Sequence, residues 1–152
     1  MIVAQARSPS FYRDYGVPDT VDGRFDMITL HMFLVLDRLK GEDRAFRQEL
    51  VDEFFRDMDR SLRELGVGDL SVGKKVRKMA EAFYGRLAAY DRALAGSIAE
   101  LEESLSRNVY PDGAPPPGLA ALTAHVRKTR ETLAAKAAAD IMSARAVFEE
   151  GV

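Results

Sequence analysis

The sequence predicts an all-α fold, a single-domain bundle of about five to seven helices around one buried central helix near residues 20–40. Three observations point there. Apolar residues recur at three- and four-residue spacing through most of the 152 positions. No segment alternates with the period of a strand. Between Met27 and Leu36, apolar residues occupy nearly the whole helical circumference, a pattern that only a helix surrounded by other helices tolerates. As a helix that run, MITLHMFLVL, spans about 15 Å, half of a bilayer core that needs roughly 20 residues. It therefore reads as core and not as a transmembrane segment.

The elements follow in order. Met1 to Arg7 reads as the last turns of a helix, with Ile2, Val3 and Ala6 on one face. Ser8 and Pro9 give an N-cap and a first-turn proline for a short helix from Ser10 to Tyr15, closed by Gly16. Pro18 holds Val17 extended, and Asp19 or Thr20 caps the central helix from Thr20 to Lys40. Within it Gly23 permits close backbone approach, and Arg24 supplies a helix-end ion pair. Glu42 to Leu65 is amphipathic, with Phe46, Leu50, Phe54, Phe55, Met58, Leu62 and Leu65 inward and Gly66 as its C-terminal glycine. A loop over Val67 to Leu70, containing Gly68, leads to a helix from Ser71 to Leu94 with Val76, Met79, Ala80, Phe83, Leu87, Tyr90 and Leu94 inward. Gly96 breaks it. Ser97 to Asn108 is a shorter acidic helix with Ile98, Leu101 and Leu105 inward. Pro111 to Gly118 carries four prolines and two glycines and reads as a loop. An Ala-rich helix from Leu119 to Glu149, anchored by Leu122, Val126, Leu133, Ile141 and Phe148, completes the chain. Residues 1–152 thus form one expected domain: a core over 1–110, the loop over 111–118 and a C-terminal helix over 119–150.

Composition narrows the chemistry. The chain is 47% hydrophobic and 30% charged, enough for an ordinary core, and its net charge of -2 argues against general DNA or RNA binding while leaving local basic patches open. The absence of cysteine removes disulfides, thiolate catalysis and thiolate zinc sites. No secretory signal is visible in MIVAQARSPSF, so the cytoplasm, or the inner face of the cytoplasmic membrane, is the expected location. Gly66, Gly68 and Gly73 match neither a phosphate loop nor a dinucleotide fingerprint. Asp57 and Asp59, two apart on a helix, point in different directions and make no acid–base pair. His31, on the most apolar helix, is expected to be buried against a carbonyl or carboxylate, and His125 to lie on the surface without a partner. No catalytic residue, metal site or cofactor is expected.

Two stretches hold the candidate surface. Lys74, Lys75, Arg77 and Lys78 crowd the expected first two turns of their helix, where the macrodipole disfavours cations. They read either as a solvated helix start, neutralised by Asp57, Asp59, Glu64 and Asp69, or as a docking patch for phosphates, anionic headgroups or an acidic protein loop. Phe55 and Tyr84 fall beside the apolar stripes and are candidates for an exposed aromatic patch. The other dense stretch, VPDTVDGR with Pro18, Asp19, Thr20, Gly23 and Arg24, reads as a structural motif of capping and ion pairing.

At these stretches the chain resembles the ubiquinol-cytochrome c chaperone family, bacterial relatives of the mitochondrial assembly factor for cytochrome b. The resemblance rests on FYRDYGVPDTVDGRFDMITLHMFLVLDRL and on LVDEFFRDMDRSLRELGVGDLSVGKKVRKMAEAFYGRLAAYDRAL, in the family's order and separation. It covers about Met1 to Leu94 closely, places a chaperone-family core over 1–110, and reaches the C-terminal helix only loosely. Members usually carry more sequence before IVAQAR, so the chain looks shortened there. The resemblance implies an all-helical, non-enzymatic factor that holds newly made cytochrome b, or another bc1 subunit, before it joins the respiratory bc1 complex. The mitochondrial relatives work with a small partner subunit and at the ribosomal tunnel exit. Peripheral membrane contact fits such a client. The expected partner surface is Phe55, Asp57, Asp59, Lys74, Lys75, Lys78 and Tyr84. The competing reading is a helical adaptor that uses the 74–78 basic patch to bind the ribosome, RNA or anionic lipid.

Overall fold

The computed structural model describes residues 2–113 and 115–143, and all regular structure among them is helical. The segments are α1 (Ile2–Ala6), α2 (Pro9–Arg13), α3 (Val21–Arg38), α4 (Arg44–Glu64), α5 (Asp69–Ala95), α6 (Ile98–Val109), α7 (Pro116–Ala134) and α8 (Ala138–Ser143). The central helix is where the apolar run places it. Every residue from Phe25 to Leu34 is buried, and α3 packs against α1, α5, α6 and α7, while α4 lies along α5. Each fully buried large side chain contributes about 1.5 to 3 kcal/mol of transfer free energy, so this stretch is the main source of cohesion.

The entry to α3 is built by the VPDTVDGR motif. Thr20 is extended, and its hydroxyl accepts from the Gly23 amide at 3.0 Å. Asp19 pairs with Arg24 at 2.8 Å. A Cβ on Gly23 would collide with the Pro18 carbonyl oxygen; only glycine lets the chain cross its own helix start here. Tyr12 donates its hydroxyl to the Ala6 carbonyl at 2.9 Å, tying α2 to α1. Ser8 does not cap α2 with its side chain; its hydroxyl lies 3.0 Å from that of Ser10 instead.

Three boundaries and two inward positions differ most from the sequence expectation. First, α5 begins at Asp69 with Gly68 as the flanking residue, two residues ahead of Ser71. Asp69 supplies the negative charge that a first turn favours. Second, α7 begins at Pro116, inside the expected proline loop, because two prolines at the first helical positions lack only amides that would be orphaned anyway. Third, the Ala-rich helix stops at Ala134 and resumes at Ala138. Arg38 of α3 reaches this break and donates to the carbonyls of Leu133 at 3.0 Å and Lys136 at 2.6 Å, so a tertiary contact ends a helix that propensity alone would continue. Fourth, Leu65 and Ile98, expected inward, are 70% and 51% exposed: Leu65 ends α4 and Ile98 opens α6, both beyond the packed turns. Phe148 and the expected helix beyond 143 lie outside the described residues.

Candidate docking surface

Helices α4 and α5 form a hairpin whose proximal half is core, whereas over residues 56–82 Val72 alone is fully buried. At the proximal end an aromatic series runs outward from α3. Phe25 stacks on Phe54 at 6.0 Å, Phe54 meets Phe83 at 5.2 Å, and Phe83 meets Phe55 edge-on at 5.3 Å. Phe55 then lies 6.3 Å from Tyr84. Phe54 and Phe83 are buried, Phe55 is half-buried and Tyr84 is 52% exposed. The series therefore brings an aromatic pair to the surface on a rigid buried base, and the two residues singled out as an exposed aromatic patch do meet.

The turn is closed by Gly66, whose φ of +89° is the left-handed conformation that ends a helix. Its amide bonds to the Arg63 carbonyl at 3.0 Å, and the Val67 amide to the Leu62 carbonyl at 3.0 Å, the two bonds of a Schellman closure. The expected neutralisation of the lysines does not occur. Asp57 is bound by Arg60, Asp59 by Arg63 at 2.8 Å, and Asp69 also by Arg63. Asp57, Asp59 and Asp69 are thus taken by arginines of α4, while Glu64 is exposed. Lys74, Lys75, Arg77 and Lys78 are all exposed, and among the described residues no carboxylate lies within 4.0 Å of them. Because α5 starts two residues early, these cations occupy its second and third turns, beyond the first turn where the dipole opposes them. The unfavourable placement inferred from sequence is thereby removed, while their lack of partners is new.

At about 100° per residue, Leu70, Lys74, Arg77 and Lys78 fall within roughly 100° of the α5 circumference, and Tyr84 lies about 20° from Arg77. Lys75 lies about half a turn away from Tyr84. The seven expected surface residues are therefore not one patch. They divide into an aromatic step, Phe55 and Tyr84; a cationic arc; and two aspartates already held by arginine.

The interior holds two polar contacts that sequence reasoning did not pair. His31 and His125 face each other with their Nε2 atoms 3.0 Å apart, His31 Nδ1 lies 2.8 Å from the Met27 carbonyl, and Phe11 packs on both rings. Since Nδ1 must donate to a carbonyl, His31 Nε2 accepts and His125 donates. His125 is thus half-buried and partnered, not free on the surface; its place one turn from Leu122 and Thr129 is the signal that could have found it. Burial pulls His31 down to about 4 and also lowers His125. Asp26 of α3 meets Arg86 of α5 at 2.8 Å, and the guanidinium also lies over the Phe25 ring. Burial outweighs this partner and pushes Asp26 up to about 6. Both contacts tie α3 to its neighbours, and neither arrangement adds a nucleophile with a base. Among the described residues no group of three or more His, Cys, Asp or Glu could hold a metal ion, and no helix is long and apolar enough to cross a membrane.

A family model described as ubiquinol-cytochrome C chaperone matches residues 13–148. The crystal structure of the Cbp3 homolog from Brucella abortus matches with a TM-score of 0.81 and 44% identity, covering 93% of this chain and 81% of that one. The ubiquinol-cytochrome-c reductase complex assembly factor 1 of Xenopus laevis is 26% identical over 102 residues, 65% of this chain and 51% of that protein. Its counterpart in Drosophila melanogaster is 28% identical over 109 residues, covering 66% and 42%. The chain spans about half the length of the curated relatives it matches.

Proposed function

The chain belongs to the ubiquinol-cytochrome C chaperone family, and from that premise we propose that it is an assembly factor for the ubiquinol-cytochrome c reductase complex that holds newly made cytochrome b before it joins the other subunits. The observation that carries this reading is the family match across residues 13–148, which takes in α3 to α7 entire and not one motif. The chain acts by binding and not by catalysis, next to a membrane-embedded client and without a cofactor. Such a client offers apolar helices flanked by basic loops. The Phe55–Tyr84 step supplies an apolar contact held rigid by Phe54 and Phe83, so little side-chain entropy is lost on docking.

Deleting the gene should lower bc1 content and spare other membrane complexes, and cytochrome b should co-purify with the tagged chain. Replacing Tyr84 with Glu, or Lys74, Lys75 and Lys78 together with Glu, should leave the helical fold intact and weaken that capture. Normal co-purification in both variants would exclude this surface. A second reading, a ribosome or RNA adaptor, is favoured by the partnerless cations of α5. It requires pull-down of ribosomes that falls steeply as salt rises.

A further inference from the structure

We propose that the tip of the α4–α5 hairpin is a bilayer-contact site that seats Leu65 and Leu70 in the interfacial layer of an anionic membrane, with Lys74, Arg77 and Lys78 meeting the lipid phosphates. Leu70 is 100% exposed and Leu65 70% exposed, on either side of the Gly66–Gly68 turn. They are the large apolar residues that flank the turn and stay exposed, Leu70 only two residues from the fully buried Val72. Leu70 shares its arc of α5 with three cations that have no carboxylate near them.

Charge is distributed to match. Residues 56–78 carry seven basic and four acidic side chains, a local net charge of +3 in a chain of net charge -2. Distances along the helix also fit. At 1.5 Å per residue, Lys74 sits about 6 Å from Leu70, and Lys78 about 12 Å. The interfacial layer of one leaflet is roughly 5 to 7 Å thick. With Leu70 at the acyl boundary, Lys74 stands at headgroup depth, and the longer reach of Arg77 and Lys78 lets their heads bend back to it. Asp69 is held by Arg63, while Glu64 of the turn and Glu81, one turn beyond Arg77 and Lys78 on the same arc, are exposed acids more than 4.0 Å from the cations.

The leucines decide between partners. A convex apolar tip fits a deformable surface, whereas RNA gains nothing from leucine because bases bind by stacking on aromatic faces. The inference goes beyond the client reading and does not rest on it, since protein-free vesicles test it alone.

The intact chain should float with vesicles containing phosphatidylglycerol and not with phosphatidylcholine vesicles, and flotation should weaken as salt rises. The double variant L65S/L70S should lose roughly tenfold in partitioning with unchanged helicity, because Leu70 is fully and Leu65 largely exposed. The variant K74Q/R77Q/K78Q should lose on the order of a hundredfold. Absence of phosphatidylglycerol-dependent flotation at low salt would overturn the proposal. So would wild-type flotation of L65S/L70S, or cation-dependent binding to single-stranded RNA without flotation.

Discussion

The body around α3 and the distal half of the α4–α5 hairpin solve opposite problems with the same residue types. In the body, several charged and polar groups are matched across helices, Asp26 with Arg86, His31 with His125 and Arg38 with the carbonyls that end α7, while the buried hydroxyls of Thr29 and Tyr90 have no hydrogen-bond partner among the described residues. In the hairpin tip, leucines and lysines face water, and Asp59 and Asp69 are kept from the lysines by Arg63. An apolar side chain in the body is cohesion. The same side chain at the tip is free energy left over for a partner.

The largest effect that would sharpen this contrast is Phe83→Ala. Phe83 is fully buried where the hairpin joins the body, so its truncation should cost about 3 to 5 kcal/mol in urea unfolding. A loss below 1 kcal/mol would mean that the hairpin is not anchored through its aromatic series.

Next comes pH. Asp26 is raised to about 6, so the folded state binds its proton more tightly than the unfolded state, and its contribution falls as pH rises from about 4 to 6. His31 is lowered to about 4, so its contribution is present above its unfolded value near 6.5 and lost as pH falls toward 4. The two slopes oppose each other in one window, each on the order of 3 kcal/mol. Stability of the wild type should therefore be nearly flat between those limits. The variant His31→Gln, which keeps an acceptor for His125, should become less stable as pH rises. A rising curve in that variant would show that the lowered His125, and not Asp26, sets the slope.

A smaller effect is expected at the turn. Gly66→Ala places a Cβ on a residue with φ of +89° and should cost about 1 kcal/mol, read as a lowered unfolding midpoint. The smallest is L65S/L70S, which should stay within about 0.5 kcal/mol of wild type because Leu70 is fully and Leu65 largely exposed. A large destabilisation there would break the contrast between body and tip.

Much of this was legible from the chain alone. The Met27–Leu36 run could only be a surrounded helix. Thr20, Gly23 and Gly66 declared a cap, a crossing and a helix end. Phe55 and Tyr84 stood beside their stripes and surfaced together. The proposed docking face was less legible. Periodicity placed Leu65 and Ile98 inward because it counts turns and does not know where packing stops. The place of His125 one turn from Leu122 signalled burial, but nothing local named its partner, 94 residues away. The charge pattern offered Asp57, Asp59 and Asp69 to the lysines, yet arginines of α4 hold them.

The sequence by itself determined the helices, their buried stripes, the α3 entry motif and the α4 closure, because each depends on neighbours within about one turn. Only the tertiary structure decided that α7 stops under Arg38, that two histidines join α3 to α7, and that Leu65, Leu70 and the lysines of α5 are left exposed. Those outcomes are contacts between residues distant in the chain, set by where helices cross, and no local periodicity encodes a crossing.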